Sequence, residues 1–252
     1  MRRLLWTVLP VAVAAAVIVA WWALVTVLEV PSFFVPSPLE VAQQPARMPG
    51  YLVGQTWTTL VETLAGFGLA VLTGVATAMI LGAWRPIEHA VMPSLVALNA
   101  VPKVAIAPLL VLWLGFDLTP KVVLVWLISV FPILLATLAG LRSTPVELVE
   151  LAKSLSASRL AAFLKIRLPW ALPQIFTGLK VSIQLAVIGA VVAEVTSPTQ
   201  GLGALVVTSA TLADTALVFT AVVLLAVLNV SLFYLIVAIE KVTLPWARAT
   251  TG

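Results

Sequence analysis

The sequence predicts an all-α, polytopic membrane protein with about six transmembrane helices. Three observations carry that prediction. Apolar residues make up 62% of the 252-residue chain and charged residues only 10%, against about 25% charged in ordinary soluble domains. Six stretches reach the roughly 20 apolar residues needed to cross about 30 Å of hydrocarbon. The lysines and arginines gather on one side of those stretches. A soluble fold of this length has a large polar exterior to cover, and this composition cannot cover it.

The first stretch, Leu4–Leu28, follows Met1-Arg2-Arg3. It is longer than the roughly 7–15 residues of a signal-peptide core, and Trp21 and Trp22 suit a membrane–water interface, so a retained span is expected. Glu29 to Gln55 carries Pro31, Pro36, Pro38, Pro45 and Pro49, which predicts an extended external loop. The second span is Thr58–Trp84. His89, the only histidine, then sits beside Arg85, Pro86 and Glu88. That reads as a short solvated turn in which a metal ligand would lack partners.

The third stretch, Ala90–Phe116, is interrupted by Pro93, Pro102 and Pro108 and contains Lys103. Broken backbone at membrane depth is tolerated where protein or a water-filled cavity covers it, so this stretch is a candidate pathway wall or gate. The remaining spans are Val122–Leu141, Leu172–Ala193 and Thr215–Ile239. No internal repeat is visible. The chain divides into residues 1–57, the first span with its proline-rich loop, and 58–252, a core with a long cytoplasmic segment at about 142–169.

With the N-terminus cytoplasmic, inside segments hold Arg2, Arg3, Arg85, Arg142, Lys153, Arg159, Lys165, Arg167, Lys241 and Arg248. Outside segments hold Arg47 and Lys121, while Lys103 and Lys180 fall within spans. Ten against two fits the positive-inside rule and places both termini in the cytoplasm. The net charge of +4 is thus a topology signal, and nucleic acid is not an expected partner. There is no cysteine, which removes disulfides, thiolate metal sites and cysteine nucleophiles.

The segment from Arg142 to Pro169 is patterned. Thr144-Pro145-Val146-Glu147 fits a capping box with proline at the first helical position. The helix it opens places Val149, Ala152 and Leu155 near one side and Glu147, Glu150, Lys153 and Ser154 largely elsewhere. After a turn at Ser156–Ser158, a second helix from Arg159 carries Leu160, Phe163 and Leu164 with Lys165 and Arg167. Pro169 and Pro173 are expected to stop it. An amphipathic helix–turn–helix at the inner face results, and amphipathicity alone would equally fit a helix lying on anionic lipid.

The order of residues is more specific. Glu150-Leu151-Ala152, then Ser156, then Ile166-Arg167-Leu168-Pro169 resembles the EAA loop of permease subunits in binding-protein-dependent ABC importers: Glu-Ala-Ala, three residues, Gly, nine residues, Ile-x-Leu-Pro. Leu151 replaces an alanine, and Ser156 replaces a glycine that turns left-handed more readily. Pro102-Lys103-Val104-Ala105, Leu112-Trp113-Leu114-Gly115-Phe116, Gly178-Leu179-Lys180, Ala193-Glu194 and Gly201-Leu202-Gly203 look like the nitrate/sulfonate/taurine branch. The resemblance covers most of the chain from Thr58 onward.

It implies a type I ABC importer permease fold in a bacterial inner membrane. It also implies a pathway for a small anionic or heterocyclic organic solute: a sulfonate, taurine, nitrate, a pyrimidine precursor or an aromatic acid. The implied partners are a cytoplasmic ABC ATPase dimer, a periplasmic or lipid-anchored solute-binding protein, a second copy of the chain and membrane lipid. Glu147, Glu150, Leu151, Ala152, Ser156 and Arg159 are the implied ATPase-coupling residues. No Gly-x-x-x-x-Gly-Lys-Ser/Thr loop occurs, so the chain is not expected to be an enzyme or to hold a cofactor. ATP and Mg are expected on the partner subunits.

Two rival classes remain at this stage. A secondary transporter would carry its own coupling site at broken helices, usually between repeats. A membrane enzyme would need ionisable groups converging at one depth, with Lys103, Lys180 and Glu194 as the candidates. Polar groups buried in membranes are functional candidates by default, which singles out Asn99, Lys103, Gln184 and Glu194 for the pathway. The cost of Lys103 is expected to be offset by a carboxylate such as Glu194, by carbonyls freed at the prolines, by water or by a passing anion.

Overall fold

A computed structural model describes residues 2–246; Met1 and Arg248, both used above, lie outside them. Every regular element among the described residues is helical. They are α1 (Arg2–Val27), α2 (Pro38–Arg47), α3 (Pro49–Ala83), α4 (Arg85–Ala100), α5 (Lys103–Leu114), α6 (Leu118–Arg142), α7 (Val146–Ser154), α8 (Arg159–Ala162), a π-helical turn (Phe163–Arg167), α9 (Leu168–Thr196), α10 (Leu202–Thr211) and α11 (Thr215–Thr243). Four helical runs are long and apolar enough to cross a membrane: α3, α6, Leu160–Thr196 and α11. The bent pair α4–α5 makes a fifth if counted as one span. Helix α1, 26 residues of largely apolar sequence, stands where the first span is expected.

The centre is built from α3, α6 and α9. Their shared core includes Phe67, Ala70, Val125, Ile133, Ile183, Ala186 and Val187. In lipid the apolar effect gives helices little reason to associate, so small residues that permit close backbone approach become decisive. A Cβ at Gly66 would collide with the Val125 side chain, and one at Gly178 with that of Ala136. Polar bonds then fix the register: Ser182 Oγ donates to the Ser129 carbonyl at 2.9 Å, and Trp126 Nε1 donates to Thr73 Oγ1 at 2.8 Å.

The proline-rich stretch after the first span departs from the expected extended loop. Ser37 caps α2 through a complete capping box with Glu40, and Pro38 and Pro49 occupy first-turn positions of α2 and α3. Proline is preorganised there because its missing N–H has no intrahelical partner. Pro169 likewise fails to stop a helix: it lies in the first turn of α9, after the π-turn in which Leu168 N–H reaches back five residues to the Phe163 carbonyl. Pro173 is carried inside α9, and helix runs continuously from Leu160 to Thr196.

The third stretch is broken as expected, by 84° between α4 and α5. Only Pro102 breaks it. Pro93 and Pro108 lie within α4 and α5. His89, expected in a solvated turn, is part of α4.

Candidate functional site

Polar groups collect in three places: the two ends of the α3–α6–α9 bundle and the break between α4 and α5. At the end where α3 and α6 finish and the π-turn leads into α9, residues 143–162 form the projecting segment. Helix α7 begins at Val146, one residue later than the capping-box spacing predicts, and the Thr144 hydroxyl donates to the Leu141 carbonyl at 3.3 Å instead. The cap expected there is therefore replaced by a bond back onto α6. Glu147, Glu150, Leu151 and Leu155 are exposed, Leu155 at 73%.

Ala152 is only 3% exposed; it is covered by the chain's own fold and not presented outward with Glu150 and Leu151. Ser156 adopts φ 52°, the left-handed turn that its glycine-like position calls for, and Ala157 N–H closes the turn onto the Ala152 carbonyl at 3.0 Å. The Ser158 hydroxyl accepts from Ala161 N–H at 3.2 Å, capping α8. The Lys153 and Arg159 side chains lie outside the described residues. Two clefts flank the segment. One of about 480 Å³ is lined by Gly82, Glu88, His89, Arg142, Thr144 and Arg167 among others. A more apolar one of about 700 Å³ runs between Met79, Ile80 and Trp84 of the α3 end and Leu160 and Phe163. Glu88 and Arg142 form an ion pair beside the first.

At the opposite end the polar groups are sealed. Glu194, fully buried, accepts from Thr59 Oγ1 at 2.6 Å and from Gly203 N–H at 2.6 Å. Thr59 Oγ1 accepts from Leu202 N–H at 2.8 Å, and Gln55 Oε1 from Gly201 N–H at 2.6 Å. Lys121 Nζ donates to Glu62 Oε1 at 2.7 Å and to the Gln200 carbonyl at 3.2 Å. This network straps the α9–α10 turn onto α3 and α6. Glu194 is thus a clamp for a turn. Lys121, expected in an outside loop, is a buried member of the clamp. Thr59, Gln55, Glu62 and Lys121 were not among the sequence candidates; a carboxylate at Glu62 inside an apolar span was the available signal, because such a group requires a partner.

At the break, Lys103 Nζ donates to Asn99 Oδ1 at 2.5 Å and to the Asn99 carbonyl at 3.0 Å. The structure thus joins two of the four pathway candidates. Among the described residues no hydrogen bond links Glu194 or Gln184 to that pair, and Gln184 is exposed on α9. Of the offsets expected for Lys103, a backbone carbonyl is present, that of Asn99, whereas Glu194 bonds to the clamp instead. Lys180 pairs with Glu240 at 2.9 Å. Lys103, Lys180 and Glu194 therefore have separate partners.

Residues 67–243 match the family model described as binding-protein-dependent transport system inner membrane component. A riboflavin transport system permease protein from Chloroflexus aurantiacus is 37% identical over 98% of this chain and 93% of its own length. The taurine transport system permease protein of Escherichia coli is 28% identical over 97% and 94%. In fold, the chain is similar to a structure of the MetNI methionine ABC transporter in an inward-facing conformation. That match has a TM-score of 0.68 and 18% identity, over 78% of this chain and 97% of that one.

Proposed function

The chain belongs to the family of binding-protein-dependent transport system inner membrane components and is the permease subunit of an ATP-binding-cassette importer, and from that premise we propose that residues 142–169 receive the stroke of a separate cytoplasmic ATPase. The observation that carries this is the outward face of α7, where Glu147, Glu150 and Leu151 stand exposed at the EAA-like spacing. Ser156 supplies the turn behind them, and Arg159 opens the next helix. Ala152 acts beneath this surface, packing α7 against its own chain. ATP and Mg belong to the ATPase, and the solute arrives from an external binding protein. Both termini lie in the cytoplasm, the side on which the basic residues gather.

The solute class follows from the relatives, which carry riboflavin and taurine by name: a small heterocyclic or anionic organic compound. Its path runs beside the break at Val101–Pro102, with Asn99 and Lys103 facing it. One chain supplies one coupling segment, and two copies about a two-fold axis supply a pair of ATPases with two, the commonest closed arrangement of identical chains.

Reconstitution with the ATPase and binding protein tests the reading. ATP-dependent uptake into proteoliposomes is expected, and uptake that proceeds without the ATPase would favour a secondary transporter. Native mass measurement of the complex is expected to show two copies of this chain, and a single copy beside a different permease would refute the homodimer.

A further inference from the structure

We propose that the Glu88–Arg142 ion pair is the pin through which movement of the coupling segment reaches the broken span. The inference rests on the reading of residues 142–169 as the ATPase-receiving segment. Arg142 is the last residue of α6, and α7 starts after a short link. Trp170 Nε1 donates to the Ser143 carbonyl at 3.1 Å, tying that link to the start of α9 as well. A displacement of α7 is therefore delivered first to Arg142.

Glu88 is the only buried side chain of α4 among those described, at 3% exposure. The rest of α4's grip on the bundle is apolar: Val91, Met92 and Leu95 lie half-buried against α3 and α6. Apolar contact is non-directional, so it allows a helix to slide or tilt without fixing its register. The ion pair fixes it. Helix α4 has 16 residues and at 1.5 Å per residue is a rod of about 24 Å, ending at the 84° break. A shift at Glu88 thus emerges at Val101–Pro102, beside Asn99 and Lys103.

The pair also differs from a static tie. Glu62 and Lys121 are both sealed, at 2% and 4% side-chain exposure, whereas Glu88 is 4% exposed and Arg142 56%. The Arg142 guanidinium has one face in water and the cleft of about 480 Å³ beside it, into which His89 and Arg167 also project. It has room to move while Glu88 stays anchored to α4.

The test measures solute imported per ATP hydrolysed in proteoliposomes, with ATPase association measured separately on the same complex. Glu88→Gln and Arg142→Gln are each expected to lower solute per ATP about tenfold, within the range of typical coupling, and ATPase association is expected to be retained in Glu88→Gln, which lies outside residues 142–169. The double variant is expected to be no worse than either single, because each removes the same link. Arg142→Lys, which keeps the charge, is expected to retain most of the ratio. An unchanged ratio in Arg142→Gln with association intact overturns the inference, as do losses that add in the double variant. Should Glu88→Gln fail to assemble, the exposed Arg142 positions decide alone. Failure of the underlying reading shows differently, as unaltered ATPase association when Glu150 is reversed to lysine.

Discussion

The two ends of the α3–α6–α9 bundle handle charge in opposite ways. At the α9–α10 turn the charged groups are buried and each meets a partner: Glu62 with Lys121, Glu194 with Thr59 and Gly203. At the end that carries α7, Glu88 is buried against a half-exposed Arg142, but Glu147 and Glu150 are exposed, two clefts flank the segment, and the helix widens to a π-turn. The buried pairs tie several helices together, although Glu62 Oε2 is left without a hydrogen-bond partner, while low local packing marks the parts that move. The contrast separates a sealed frame from the end that the proposed function makes the moving part.

Removing one partner of the sealed end is the most damaging way to break this comparison. Lys121→Ala leaves the Glu62 carboxylate buried without its cation, and breaking such a pair costs about 3–5 kcal/mol. The chain is expected to lose its folded yield, read by size-exclusion profile and thermal unfolding in detergent. Full yield and unchanged unfolding temperature would mean that the opposite end is no more a frame than the coupling end.

Gly201→Ala strikes the same clamp through the backbone. Gly201 has φ 110°, and a Cβ there would run into the Glu194 carboxylate. A non-glycine residue held in so sparsely populated a region costs about 1–3 kcal/mol, before the carboxylate is displaced. A loss of thermal stability smaller than that of Lys121→Ala, with reduced uptake, is expected. Undiminished uptake would show that the clamp tolerates opening.

At the coupling end the expectation reverses. Glu150 is exposed, and surface changes of this kind stay within about 0.5 kcal/mol, so Glu150→Lys is expected to unfold as the wild type does. ATPase association and uptake are expected to fall because the charge inverts at the proposed contact. Normal uptake with normal complex yield would remove Glu150 from the mechanism.

How much of this was legible in the sequence follows the same division. Of the six stretches read as spans, four, or five with the bent pair α4–α5, are long and apolar enough in the structure, and of the three prolines read as interruptions only Pro102 breaks the helix. Run length and residue spacing are local signals, and the projecting segment could be read from them. Ser156 could be read as a turn because its position in a spaced motif asked for a left-handed residue. The clamp could not be read, since Thr59 and Glu194 meet across 135 positions and Glu62 and Lys121 across 59; nothing local announces such pairs. The prolines misled where position outweighs identity: Pro38, Pro49 and Pro169 sit in first turns, where they begin helices.

The smallest expected effect on the fold belongs to Lys103, and it sharpens the comparison at a third place. Lys103, Lys121 and Lys180 can be compared directly. Lys121 and Lys180 are neutralised by Glu62 and Glu240, whereas Lys103 meets only the neutral oxygens of Asn99. Placing a lysine in a span costs about 2.5–3.5 kcal/mol on insertion scales, and at Lys103 no carboxylate among the described residues offsets it. A cation held by neutral oxygens at a bend keeps attraction for a passing anion, which a neutralised lysine does not. Lys103→Gln keeps a hydrogen-bonding group beside Asn99 and removes the charge, so assembly and basal ATP hydrolysis are expected to stay at wild-type levels while uptake of an anionic solute falls. Unchanged uptake would end the pathway role, and failed assembly would return Lys103 to the frame alongside Lys121.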